Sequence, residues 1–154
     1  MGRGHGISQS DAIGNTHGRR LRRIGAHLRS GAVRDVLLVA VGGAIGSALR
    51  FWLSDLIAHH TYREVGTGTV NLIGSLVLGV VVGWVSQRGP ATGLQMLVGV
   101  GLLGGFTTFS TWMIQAAGLL EATRFAAAGL YLFGSIALGL FAASIGLLIG
   151  RALA

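Results

Sequence analysis

The sequence predicts an all-α integral membrane protein with four transmembrane helices and a break in the third. Three observations carry this reading. Of 154 residues, 51% are apolar and only 11% are charged, against roughly 25% charged in an ordinary soluble domain. The charges crowd toward the N-terminus, where the first 35 residues hold seven Arg together with Asp11 and Asp35. Beyond them, four apolar stretches follow one another, joined by short polar segments. The eight remaining charges are Arg50, Asp55, Arg63, Glu64, Arg88, Glu121, Arg124 and Arg151. They cannot give a soluble fold its polar surface, so a soluble globular enzyme is all but excluded.

Residues 1–34 are rich in Gly, Arg, Ser and His and have no sustained apolar period. They read as a basic, mostly disordered tail with a short helix around Leu21–Leu28. The first apolar run begins only at Val36 and is too long for the h-region of a cleavable signal peptide. The membrane domain then covers residues 35–151. Its spans fall at about 36–58, interrupted by Arg50 and Asp55, and at about 65–86, 94–120 and 125–149. Each is near the ~20 residues needed to cross a hydrocarbon core. The connections are 59–64, 87–92 (with Pro90, the single proline) and roughly 121–124, which puts both termini on one side.

Small residues recur at four-residue spacing: Gly42/Gly46, Ser75/Gly79/Gly83, Gly101/Gly105, Ser135/Gly139 and Gly146/Gly150. In lipid, this spacing lets helix backbones approach closely. The density of such pairs also points to an oligomer.

Polar residues inside spans cost energy and mark functional candidates. Thr67, Asn71 and Ser75 share one face of the second span, and Tyr131 and Ser135 repeat that spacing in the fourth. They either line a polar path or make interhelical hydrogen bonds. The third span is the most unusual, with Gly99, Gly101, Gly104 and Gly105 followed by Thr107, Thr108, Ser110 and Thr111. Glycine and β-branched threonine are poor helix formers, so a break is expected near residues 104–108. At membrane depth a break needs partners for its freed backbone groups, and the ends of half-helices suit ions. Packing with hydroxyls bonded back to carbonyls is the alternative. Phe109 and Trp112 share a face beyond the break, and ring edges turned to a path favour anions. Two aromatics at this spacing equally fit simple packing. Arg50 lies about 21 Å along the first span from Val36 at a rise of ~1.5 Å per residue. Its side chain either snorkels to the headgroups or lines a vestibule and attracts anions.

With no Cys, no thiolate or disulfide chemistry is available. The five histidines lie in the tail or first connection, so no metal or acid–base constellation is visible, and an enzyme is the poorest reading. All 12 basic residues are Arg, but their place ahead of apolar spans fits a topology signal better than nucleic-acid binding.

Three segments carry a family resemblance. Gly42-Gly43-Ala44-Ile45-Gly46-Ser47-Ala48-Leu49-Arg50-Phe51 resembles GGxxGAxxRY of the Fluc (CrcB-type) fluoride channels. Residues 66–74, GTGTVNLIG, resemble that family's GTxxVNxxG, and residues 104–111, GGFTTFST, its GGxTTFST. Order and spacing fit over residues 36–150. The resemblance implies a fluoride-selective channel of the cell membrane that lowers cytoplasmic fluoride by passive export. It implies a dimer of oppositely oriented subunits, with two fluoride paths and a central structural Na+ at the interface. By motif position, the carbonyls of Gly104 and Thr107 would bind the sodium. Asn71, Phe109 and Trp112 would line the fluoride path, Tyr131 and Ser135 would continue its polar track with Thr67 and Ser110 beside it, and Arg50 would sit near a vestibule. The chain departs from the family at Trp112, where a second Phe is usual, and at Gln115, where Glu is frequent.

The tail adds a question of partners. With cytoplasmic termini that side holds nine Arg, against Arg63 and Arg124 on the other. Such a bias favours one orientation, and hence pairing with an oppositely oriented paralogue. Without the first 33 residues the count is three against two, which suits a homodimer with a later start. Two other functions compete. A four-helix exporter of drug-like cations needs a carboxylate in the middle of its first span, which is missing here. A non-transporting assembly subunit would leave the broken third span unexplained.

Overall fold

The computed structural model describes the backbone of residues 9–88 and 93–154, and the side chains of residues 31–88 and 93–154. The chain divides into two units, residues 1–35 and 36–154. The elements are α1 (Gln9–Ala58), α2 (Arg63–Val85), a π-helical segment (Gln95–Leu103), α3 (Gly104–Phe106), α4 (Ser110–Glu121) and α5 (Phe125–Ala152). α1 therefore reaches further into the tail than the short helix expected at Leu21–Leu28. Residues 1–8 of the tail and 89–92 of the second connection, Pro90 included, lie outside the described residues.

Among the described residues, four helical stretches are long and apolar enough to cross a membrane: Gly31–Ala58, Arg63–Val85, Gln95–Glu121 and Phe125–Ala152. They coincide with the four apolar stretches of the sequence. Their outward surface is apolar, as a lipid-facing surface must be. Leu130 is 77% exposed and Phe133 73%, whereas the core is made of residues as small as Ala116, Ala128 and Ala142.

Glycine allows this economy of side chains. α2 and α5 run in the same direction, since Gly68 faces Tyr131, Gly79 faces Gly146 and Gly83 faces Leu147. A Cβ placed on Gly79 would meet the Ala143 carbonyl oxygen, and one on Gly146 would meet that of Leu76. A second seam joins α1 to the third span, where a Cβ on Gly46 would meet the Leu102 carbonyl and one on Gly105 would lie 2.6 Å from the Gly43 carbonyl. Each helical glycine costs about 1 kcal/mol of propensity. Backbone-to-backbone dispersion along the seam offsets that cost.

The helix ends are held locally. Glu64 in the first turn of α2 complements the helix dipole, and the Ser86 hydroxyl donates to the Gly83 carbonyl at 2.8 Å beyond its last turn. The guanidinium of Arg88 stacks 4.2 Å from the Trp84 ring. Between α4 and α5, Thr123 takes a left-handed φ of 56°, so that Arg124 N–H reaches the Leu119 carbonyl at 2.9 Å.

The third span is bent. α3 stops at Phe106, Thr107 is extended at φ −89° and ψ 156°, and α4 starts at Ser110. The first half is π-wound up to Leu103, a winding often found next to functional sites.

Candidate functional site

Bending a helix frees backbone groups, and in this chain specific side chains take them up. The Asn71 carboxamide on α2 donates from Nδ2 to the Thr108 carbonyl at 2.9 Å. Its Oδ1 accepts the Thr108 N–H at 2.8 Å. The Thr107 hydroxyl donates to the Leu103 carbonyl at 3.2 Å, one turn back. The Thr108 hydroxyl accepts the Thr111 N–H at 3.3 Å and donates to the Thr111 hydroxyl at 3.1 Å, which serves the start of α4. On the other side of the bend, the Gly105 carbonyl accepts from Arg50 Nε at 3.1 Å and from the Ser47 hydroxyl at 3.5 Å. A guanidinium thus meets the negative end of α3.

Beside the bend lies a cavity of about 700 Å³ between α2, α4 and α5. It runs from Glu64 and Val65 at one end to Leu78 and Leu140 at the other. Asn71, Phe109, Trp112, Tyr131 and Ser135 all line it, joined by Ser75, Thr107 and Thr108. Three aromatic rings form its wall. Phe109 and Trp112 meet edge to face with centroids 5.6 Å apart, and Trp112 and Tyr131 do so at 6.4 Å. In such pairs one ring offers its positive edge. The Tyr131 hydroxyl donates to Gln115 Oε1 at 2.7 Å, and Gln115 Nε2 donates to the Arg63 carbonyl at 3.4 Å.

Of the remaining expected site residues, Thr107 lines this cavity, and Thr67, Ser110, Arg50 and Gly104 lie outside its wall. Thr67 is 3% exposed, with its hydroxyl against that of Tyr131. Ser110 is exposed, its hydroxyl 3.4 Å from that of Thr108. Arg50 does not line the cavity, and its Nε donates to the Gly105 carbonyl. Gly104 stands at the start of α3 and Thr107 just past its end. The sequence reading missed Glu64 at the cavity mouth and Ser47 beneath the Gly105 carbonyl. Glu64 carries no motif. Ser47 lies inside the first motif, three residues before Arg50, and that one-turn spacing was the available signal.

Comparison with known proteins sorts these features. Residues 37–147 match the family profile described as CrcB-like protein, Camphor Resistance (CrcB). The chain belongs to the CrcB family. Among curated CrcB-like relatives, the "Fluoride-specific ion channel FluC" of Novosphingobium aromaticivorans is 40% identical over 120 residues, covering 75% of this chain and 95% of the relative. The protein of the same name from Oceanobacillus iheyensis is 39% identical over 115 residues, covering 74% and 89%. That of Methylobacillus flagellatus is 42% identical over 110 residues, covering 69% and 86%. The CrcB match takes in Asn71, the bend, the aromatic wall and Arg50 together.

Proposed function

We propose that this chain is a fluoride-selective channel of the cell membrane that lowers cytoplasmic fluoride by passive export. The observation that carries the reading is the cavity at the bend, walled by hydroxyls, a carboxamide and ring edges, in a chain about 40% identical to curated fluoride channels. Fluoride is small and strongly hydrated, so a path must replace its water with closely spaced donors. The hydroxyls of Ser75 and Ser135 in the cavity wall are such donors. The N-terminus of α4 opens at Ser110 beside this wall and adds partial positive charge. Phe109 and Trp112 contribute ring edges, which attract an anion and repel cations. Tyr131, Gln115 and Thr67 extend the polar track toward Glu64.

The working unit in this proposal is a dimer of oppositely oriented subunits, formed with a second copy or with a paralogue. Phe109 supports it, since the ring lines the cavity yet is 70% exposed. A second subunit would close that open side. The bend also suits a central sodium ion. Thr108 N–H is given to Asn71 and Thr111 N–H to Thr108, so the Gly104 and Thr107 carbonyls lack their usual helical donors. Hard carbonyl oxygens are the ligands sodium takes. Gly104 and Thr107 would hold it, and its charge would brace the bend between the two subunits.

The test is fluoride efflux from liposomes containing the purified chain, with chloride as control. Fast fluoride-selective efflux is expected. Equal fluoride and chloride rates would overturn selectivity. No efflux, either alone or with a co-expressed paralogue, would overturn the channel.

A further inference from the structure

The wall of the cavity contains a donor with no partner. Trp112, in the first turn of α4, is only 9% exposed. Among the described residues, its Nε1 is the buried side-chain nitrogen or oxygen that makes no hydrogen bond. The groups around it are engaged: Asn71 with Thr108, Tyr131 with Gln115, and Thr108 with Thr111. An indole N–H can only donate. In a membrane there is no bulk water to compensate it, so leaving it unmet is costly. Such a cost is tolerated where an acceptor arrives as part of function.

We propose that the Trp112 indole N–H is a direct hydrogen-bond donor to the transported anion, and that it helps set selectivity for a small, hard anion. The inference rests on the channel reading and deepens it. It gives Trp112 a role that a ring edge alone does not. The geometry favours this over a packing role for three reasons. Trp112 lines the cavity. Its two aromatic neighbours, Phe109 and Tyr131, meet it edge to face and offer the N–H no oxygen within their rings. Those contacts are dispersive, so no hydrogen bond competes with an anion for the N–H. A hard anion with concentrated charge gains most from such a donor. A larger, softer anion would gain less and would have to widen the aromatic wall.

Two measurements on the full chain test this. The chain has three tryptophans, Trp52, Trp84 and Trp112, so ¹⁵N-labelled protein in lipid nanodiscs gives three indole N–H signals. Loss of one in Trp112→Phe assigns the signal of Trp112. Titration with sodium fluoride is expected to move the Trp112 indole proton downfield and to saturate. Sodium chloride at equal ionic strength is expected to leave it in place. The second measurement replaces Trp112 by 3-benzothienylalanine, which puts sulfur where the N–H was in a ring of nearly the same shape. Fluoride efflux should fall about tenfold or more with the fold retained. An indole unmoved by fluoride, together with a benzothienyl variant that conducts like the parent, would overturn the inference and leave the channel reading standing. A parent that fails to conduct but whose indole still responds to fluoride alone would uphold the anion contact and sink the channel reading.

Discussion

Asn71 and Thr108 are joined by two hydrogen bonds of opposite sense, 2.9 Å from Nδ2 to the carbonyl and 2.8 Å from the peptide N–H to Oδ1. The carboxamide stands in for a strand neighbour and satisfies one whole peptide residue at the bend. Asn71→Asp keeps the acceptor but sets an oxygen against the Thr108 carbonyl, and it adds negative charge to an anion path. Fluoride efflux should fall at least about tenfold, because the one lost bond is worth ~1 kcal/mol net and charge repulsion adds to it. An electrode-based liposome assay checks this. Efflux equal to the parent would remove Asn71 from the conducting machinery.

Phe109 presents its ring at the cavity wall, edge to face with Trp112. Phe109→Ile keeps apolar bulk but removes the aromatic edge. Expected is a loss of fluoride efflux of about tenfold or more, with little change in stability, since the side chain is 70% exposed and supports little of the subunit's core. Size-exclusion behaviour and efflux, measured on one preparation, separate the two effects.

Arg50 holds the Gly105 carbonyl at 3.1 Å where α3 ends. Arg50→Met retains most of the stem and deletes the donor. A hydrogen bond to a charged group is worth about 1.5–3 kcal/mol, so the thermal midpoint should drop by several degrees and fluoride efflux should fall with it. Arg50→Lys should recover only part of either, because lysine has no N–H at the Nε position that donates to this carbonyl. Full recovery by lysine would mean that charge alone matters.

Gly146 and Gly129 sit on the same helix, yet a methyl group should affect them oppositely. At Gly146 a Cβ meets the Leu76 carbonyl and lies 2.9 Å from Val80 N. Gly146→Ala should cost about 1–3 kcal/mol by overpacking. At Gly129 nothing lies within 4 Å, and Gly129→Ala should be neutral or add up to about 1 kcal/mol from helix propensity. Thermal unfolding in detergent or bicelles reads both. A stabilised Gly146→Ala would mean that the α2–α5 seam opens readily.

Much of this fold was legible in the sequence because hydropathy and small-residue spacing report on one helix at a time. The four spans, the Gly79/Gly83 and Gly146/Gly150 seams and the unusual stretch at Gly104–Thr108 all follow from such local patterns. What a polar side chain bonds to depends on where a second helix lies, and no local pattern encodes that. For Asn71 the sequence leaves path or interhelical bond open, and in the fold it is bonded across helices while also lining the cavity. For Arg50 the sequence offers snorkelling or a vestibule, and the fold adds a hydrogen bond from its Nε to a backbone carbonyl. The π-winding of Gln95–Leu103 has no compositional signal apart from its glycines. Glu64 reaches the cavity only because α2 begins where α5 places Tyr131.

The glycine seams also divide the chain by how freely it can change. Where two backbones touch, no side chain can be added, whereas the outward positions touch only lipid or a partner and accept almost any apolar residue. A saturation library read by fluoride survival should therefore split into two populations with little between them. One is a sparse skeleton of positions that tolerate nothing. The other is a broad apolar coat that drifts freely and is the place to tune the protein to membranes of different thickness without disturbing the path inside.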